Sequence, residues 1–197
     1  MAQAIRSITE YENFEIEEAS VQFINANGTT ENATAFGCIG SLTVEPEIEE
    51  IVKNCGRTQI AATSKTKYLN VTIEAHLKVG VAEQIFGLDN TGLKEGVYGL
   101  SASAVKKDFI FTAVVYDMTR NVKKLIAFPL VSNVSGFSLN LDNSATEVQT
   151  MSLDFRAMKD SNGMFYYEAY ESEISDTTVK NNWLTQFNPE LVDVTSA

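Results

Sequence analysis

Apolar and polar positions alternate most regularly over residues 68–79. Leu69, Val71, Ile73, Ala75, Leu77 and Val79 take one parity, and Tyr68, Asn70, Thr72, Glu74, His76 and Lys78 take the other. A period of two puts these sets on opposite faces, which predicts a half-buried strand with its apolar side inward. Residues 37–53 make a longer strand-like run. Leu42, Val44 and Ile48 share one parity while Thr43, Glu45, Glu47 and Glu49 share the other, so one face is apolar and the opposite face carries a ladder of carboxylates. Pro46 has no N–H to give a neighbouring strand and marks an edge, a bend or a bulge. Asn54-Cys55-Gly56 reads as a turn. After Gly80 the period changes: Val81, Ala82, Ile85 and Leu88 fall at helical spacing, which predicts one short helix ending near Gly87.

The rest of the chain continues mainly in strands. Residues 1–20 alternate weakly and are strongly acidic, which reads as an arm, and Val21 to Asn25 as a short strand. Residues 89–100, with Gly92, Gly96 and Gly99, read as loop. Phe109 to Asp117 is apolar on both parities, which predicts a central strand covered on both faces, with Lys123 to Val131 as its hairpin partner. Phe137, Leu139 and Leu141 alternate with polar residues, and so do Met151, Leu153 and Phe155. These segments read as a second hairpin around a turn at 142–145. Phe165 to Tyr170 is a further strand. Val179, Trp183, Leu184 and Phe187 give one helical turn's worth of signal before Pro189, which reads as a short helix or a C-terminal arm. Sequence-adjacent hairpins predict a mainly β protein: an antiparallel β-sandwich or partly open barrel with one short flanking helix and N- and C-terminal arms. The expected organisation is an acidic arm over 1–20, a β-domain over 21–175 and a C-terminal helix or arm over 176–197.

Charge adds to this picture. The 197 residues hold 15 basic and 26 acidic side chains, for a net charge of −11. Residues 1–50 contain ten acids and one base, so this first quarter carries nearly all of the excess. Such a surface is poorly suited to gripping nucleic acid or anionic lipid, both of which require basic patches. No apolar stretch of ~18 residues predicts a membrane span, and no apolar segment follows Arg6 as a signal peptide requires. The expected surroundings are cytosol-like, and the Asn-x-Ser/Thr triplets at Asn27, Asn32, Asn70 and Asn133 read as chance.

Catalytic and metal-binding patterns are sparse. His76 is the one histidine, placed on the polar side of a strand, so any Ser–His–Asp arrangement would have to use it. Cys38 and Cys55 read as ordinary thiols. Asp160-Ser161-Asn162-Gly163 reads as a hairpin turn, because Met158 and Ala169 would fall where a calcium loop needs its first and last ligands. Carboxylate pairs at Glu45/Glu47 or Glu168/Glu171 would suit glycoside hydrolysis only if a cleft lay between them. No phosphate-binding glycine loop or nucleophile elbow is present. The expectation is no enzymatic activity and no cofactor.

The order of elements resembles a known family. The strand–glycine–helix passage LNVTIEAHLKVGVAEQIFGLDN (residues 69–90) and the late strands over 109–172, with their DNSATEV turn at 142–148, look like the major tail (tail tube) protein of long-tailed, non-contractile bacteriophages. The resemblance covers roughly residues 20–175. It implies a β-sandwich with a flanking helix that forms homo-hexameric rings stacked into a tube, a structural component of the virion tail assembled in the host cytoplasm. The implied partners are other copies of the chain, the tape measure protein and passing DNA in the lumen, and other tail proteins at the tube ends. Membranes are not among them. On this reading Glu45, Glu47, Glu49 and Glu74 line the lumen, joined by Asp142 and Asp154, in an electrostatic role. Lys78 and Arg156 share those parities, so the wall is not purely acidic. Two alternatives remain open: an inner tube or connector protein of a contractile-tail-like machine, and a carbohydrate-binding β-sandwich using Tyr166, Tyr170 and Trp183.

Overall fold

The computed structural model describes residues 7–137 and 148–193. Its strands are β1 (Glu15–Phe23), β2 (Thr34–Ala35), β3 (Gly37–Cys55), β4 (Thr58–Leu77), β5 (Leu88–Asp89), β6 (Gly99–Leu100), β7 (Phe109–Tyr116), β8 (Lys123–Asn133), β9 (Met151–Ala157) and β10 (Tyr167–Tyr170). The helices are α1 (Val79–Phe86) and α2 (Thr177–Asn182). Eight strands form one antiparallel sheet in the order β2-β1-β7-β8-β9-β4-β3, with β10 joined to the first half of β8; β5 and β6 pair separately. The sheet curls on itself without closing, so the expected mainly β, antiparallel sandwich-like fold is the one observed.

The curl follows from where the apolar parities point. Val21 and Phe23 of β1, Phe109 and Phe111 of β7, and Phe128 and Val131 of β8 face Val71, Ile73 and Ala75 of β4 and Leu153, Phe155 and Ala157 of β9 in a single core. Helix α1 closes one end with Val81, Ile85 and Phe86, all buried. It stops where expected: Gly87 takes the left-handed conformation at φ 73° and its N–H returns to the Glu83 carbonyl.

A corner joins the two edges of this sheet. β2 pairs with β1, through Ala35 opposite Ser20, while β3 opens with Gly37 opposite Leu77 of β4. Phe36, between them, is fully buried and meets the rings of Phe111 and Phe155 at 5.1 and 6.4 Å. Gly37 has φ 141°, and a Cβ built there would lie 2.1 Å from the His76 carbonyl oxygen.

β7 is buried on both faces, as its composition predicts. Its outer side, with Ile110 and Val114, is covered together with Leu125 and Ala127 of β8 by Trp183 and Phe187. Trp183 donates its Nε1–H to the Ile126 carbonyl at 3.0 Å, and the Phe187 N–H donates to the side-chain oxygen of buried Gln22 at 2.9 Å. Helix α2 thus lies within the C-terminal segment, and Trp183 and Phe187, which follow it, pack against the sheet of the same chain.

Three local expectations change. β1 begins at Glu15, six residues before the expected Val21, because its backbone pairs with β7 along its whole length. β4 begins at Thr58, ten residues before the alternation does, because Thr58–Lys65 pairs across to β3. The turn falls on Gly56–Arg57, so β3 and β4 together form a long hairpin. The expected hairpin partner around Leu139 and Leu141 lies outside the described residues.

Replacing Gly37 with Ala should lower stability by about 3 kcal/mol, since the backbone must leave a region open to glycine or push the β4 carbonyl away. Gly80, with open space around it, is the control: Gly80→Ala should stay within about 1 kcal/mol of wild type. Urea unfolding of both variants measures the difference.

Candidate functional site: the acidic face and the seam groove

The outer face of β3, β4 and β9 is built by register. Thr43, Thr72 and Asp154 form one cross-strand row; Glu45, Asn70 and Arg156 form the next; Ser41, Glu74 and Ser152 form a third. Glu47 stands opposite Tyr68. The rows between them, such as Val44–Val71–Phe155 and Leu42–Ile73–Leu153, turn the other way, with their β4 and β9 members buried in the core. Glu45, Glu47, Glu74 and Asp154 are all exposed and share the polar face.

Basic and polar neighbours temper this face. Thr72 donates its hydroxyl to Asp154 Oδ1 at 2.9 Å. The Arg156 guanidinium stacks 4.1 Å from the centroid of the Tyr68 ring, and its Nε finds no acceptor among the described residues. Glu49 fits the ladder by parity but sits opposite Lys65, with its Oε1 3.4 Å from Lys67 Nζ. A register shift at Glu47/Ile48 skips Lys67 in the pairing. Alternation alone does not reveal such a bulge, nor the lysines that it brings beside Glu49. Asp142 lies outside the described residues. Pro46 sits within β3, the terminal strand of the sheet, which is an edge position.

The remaining candidates occupy separate places. Glu168 is 2.7 Å from Lys124 Nζ and accepts from the Tyr166 hydroxyl at 3.1 Å, and Glu171 is 2.9 Å from Lys123 Nζ. Glu168 also lines a shallow pocket with Asp176 and Asp193, and Glu171 is not among its lining residues. Tyr170 and Trp183 are buried and Tyr166 is half-buried, so these three form no exposed aromatic row for a sugar ring. His76 stands opposite Cys38 in the β3–β4 register, a proximity hidden by their spacing in the chain.

A second feature was not foreseen. Where the curl fails to close, β3 comes alongside β1 and leaves a groove of about 730 Å³. Ile39, Leu42, Val44 and Leu69 line one side; Phe14, Ile16, Val115, Ile126 and Phe128 line the other. Lys124 and Tyr166 stand at its polar end. The N-terminal segment runs past this end. Its Tyr11 hydroxyl donates to the Val115 carbonyl at 2.9 Å, and its ring meets Tyr170 edge-on at 5.3 Å.

No family model matches the chain, and no curated protein matches it by sequence. Among solved structures, a chain of the anti-feeding prophage (AFP) baseplate, determined by cryo-EM with 6-fold symmetrisation, is similar over 85% of this chain and 97% of its own. The identity is 11% and the TM-score 0.40, a likeness that carries no conclusion about what this chain does.

The tyrosine cluster gives the fold an alkaline limit. Burial, helped by the nearby Tyr170, Asp117 and Glu168, pushes the Tyr11 hydroxyl from 10.0 to about 12. Burial first, then Glu168, raises Tyr166 further still. Because the folded pKa values lie above the unfolded ones, the stability linked to these protons is complete below pH 10 and is lost as pH climbs towards 12. The urea midpoint should hold steady up to about pH 10 and then fall, and Tyr11→Phe should make that fall shallower.

Proposed function

We propose that this chain is the repeating subunit of a phage-type tail tube. Six copies close into a ring, rings stack, and the polar face of β3, β4 and β9 borders the shared bore. The observation that carries this reading is the two-sidedness of that sheet. Val71, Ile73, Leu153 and Phe155 seal the core, while Glu45, Glu47, Glu74 and Asp154 stand exposed on the opposite side. β3 is also the terminal strand of the sheet. Its outer edge offers unpaired backbone groups to a neighbouring subunit, and ring closure uses up such edges.

An acidic bore suits the passage of DNA. Phosphates gain affinity by releasing counterions to basic side chains, and a wall dominated by carboxylates withholds that contact along the whole path. The tape measure protein would occupy the bore during assembly, and other tail proteins would bind the tube ends. The subunit would reside in the virion tail after assembly in the host cytoplasm. Its role is structural rather than enzymatic, consistent with Glu168 and Glu171 being held by lysines.

Negative-stain microscopy at rising protein concentration tests the reading. Rings or tubes with a stain-filled centre are expected, and a strict monomer at every concentration would overturn it. In the assembled polymer, the pair Glu45→Lys and Glu47→Lys should create DNA retention that weakens steeply between roughly 50 and 200 mM salt, whereas wild type should retain none. Co-sedimentation with duplex DNA reads both.

A further inference from the structure

The outer part of the β3–β4 hairpin is exposed without a break from Thr43 to Lys65. Residues 45–55 alone extend roughly 35 Å at about 3.3 Å per residue. Ile48, Ile51, Val52 and Ile60 on this ribbon are 57, 53, 45 and 56% exposed. They lie on both sides of it, since Ile48 and Val52 share one parity in β3 and Ile51 takes the other. A two-stranded ribbon alone in water is marginally stable, and an apolar surface on both its faces calls for cover.

The same chain carries a complementary surface. The seam groove between β1 and β3 has an apolar floor, including Ile39, Leu42, Leu69 and Phe128. Its one lysine, Lys124, is already engaged by Glu168, and the other polar lining comes from Asn13, Glu15, Ser41 and Tyr166. Glu15 and Glu17 are paired with Arg120, but Glu10 and Glu12 are exposed on either side of Tyr11, whose hydroxyl and ring meet Val115 and Lys124 of the groove lining. The distal ribbon has the opposite character. Residues 53–65 carry Lys53, Arg57 and Lys65 and no acid, next to Ile51, Val52 and Ile60.

We infer that the distal ribbon of one copy docks in the seam groove of a second copy. The ribbon enters between the two walls of the groove, with Ile51 on one of its faces and Val52 on the other, while Lys53 and Arg57 lie against Glu10 and Glu12. The contact is heterologous, ribbon to groove, so each copy has one of each to offer and the pairing propagates until it closes or extends. Charge complementarity selects the register and partner, and the apolar residues supply the buried area. This rests on the assembly proposed above and names the surfaces that join its subunits. The N-terminal segment from Ser7 and the C-terminal segment through Phe187 are docked on their own subunit, so among the described residues the ribbon is the long element left to reach a neighbour.

Charge exchange tests the pairing on full-length protein. Lys53→Glu with Arg57→Glu should raise the concentration for half-assembly by about tenfold or more in sedimentation velocity, and so should Glu10→Lys with Glu12→Lys. All four substitutions together should restore assembly towards wild type, which a merely misfolded variant would not do. Circular dichroism of each variant should match wild type. In a second measurement, Asn13→Cys in a Cys38→Ser background should be joined to the native Cys55 of another copy by a short bis-maleimide, giving covalent ladders. Assembly indifferent to both charge pairs, or an absence of ladders where tubes form, would overturn the docking alone. Charge-dependent association without rings or tubes in the microscope would overturn the tube alone. A wild-type protein that stays monomeric would overturn both.

Discussion

Between Ala35 and Cys38 the chain leaves one edge of the sheet and enters the other. That crossing is permitted by a missing Cβ at Gly37, where any side chain would meet the His76 carbonyl at 2.1 Å. Phe36 anchors it from inside, against Phe111 of one half of the sheet and Phe155 of the other. The aromatic chain continues through Phe109, 5.1 Å from Phe155, to Phe23 at 5.9 Å. Interlocked rings of this kind fix the angle between the two halves, because edge-to-face contacts tolerate little sliding in a close-packed interior. The position of the acidic face, the seam and the direction in which the hairpin leaves the body all follow from that angle.

Much of this was legible from alternation. The β4 pattern placed Val71, Ile73 and Ala75 in the core and Glu74 outside, and Gly87 marked the end of α1. The doubly apolar run at Phe109–Tyr116 announced a strand covered on both sides. Other features left no local trace. Thr58–Lys65 is strand because β3 lies beside it, not because its own side chains alternate. Ser20 and Thr112 are buried polar residues in contact at 2.8 Å, and Ser20 also donates to the Leu184 carbonyl. These partners are separated by 92 and 164 positions, so their buried hydroxyls could be reconciled only once the fold was known. The bulge beside Lys67 leaves no trace either, since it changes the surroundings of Glu49 while leaving its parity intact.

The charge distribution also makes better sense in three dimensions. Acids of the first fifty residues do not form one undifferentiated patch. Glu15 and Glu17 clasp Arg120 at 2.8 and 2.6 Å, Glu49 meets Lys67, and Glu45 and Glu47 remain in the exposed ladder. Exposed ion pairs of this sort contribute little to stability individually. Their effect is to sort a net negative chain into neutralised seams and uncompensated faces, which is a matter of what the surface will tolerate beside it.

The long hairpin has three irregularities in its pairing, at Ile39/Ser41, Glu47/Ile48 and Lys53/Asn54. A strand pair with apolar residues on both sides would otherwise have little to distinguish one alignment from the next, and could slide or recruit a foreign strand into a fibril. Each bulge is a mismatch that fits in one alignment, so slipping by a single residue would break all three together. The hairpin can thus stay adhesive along its length and still hold one alignment, with the added twist discouraging the flat stacking on which amyloid depends.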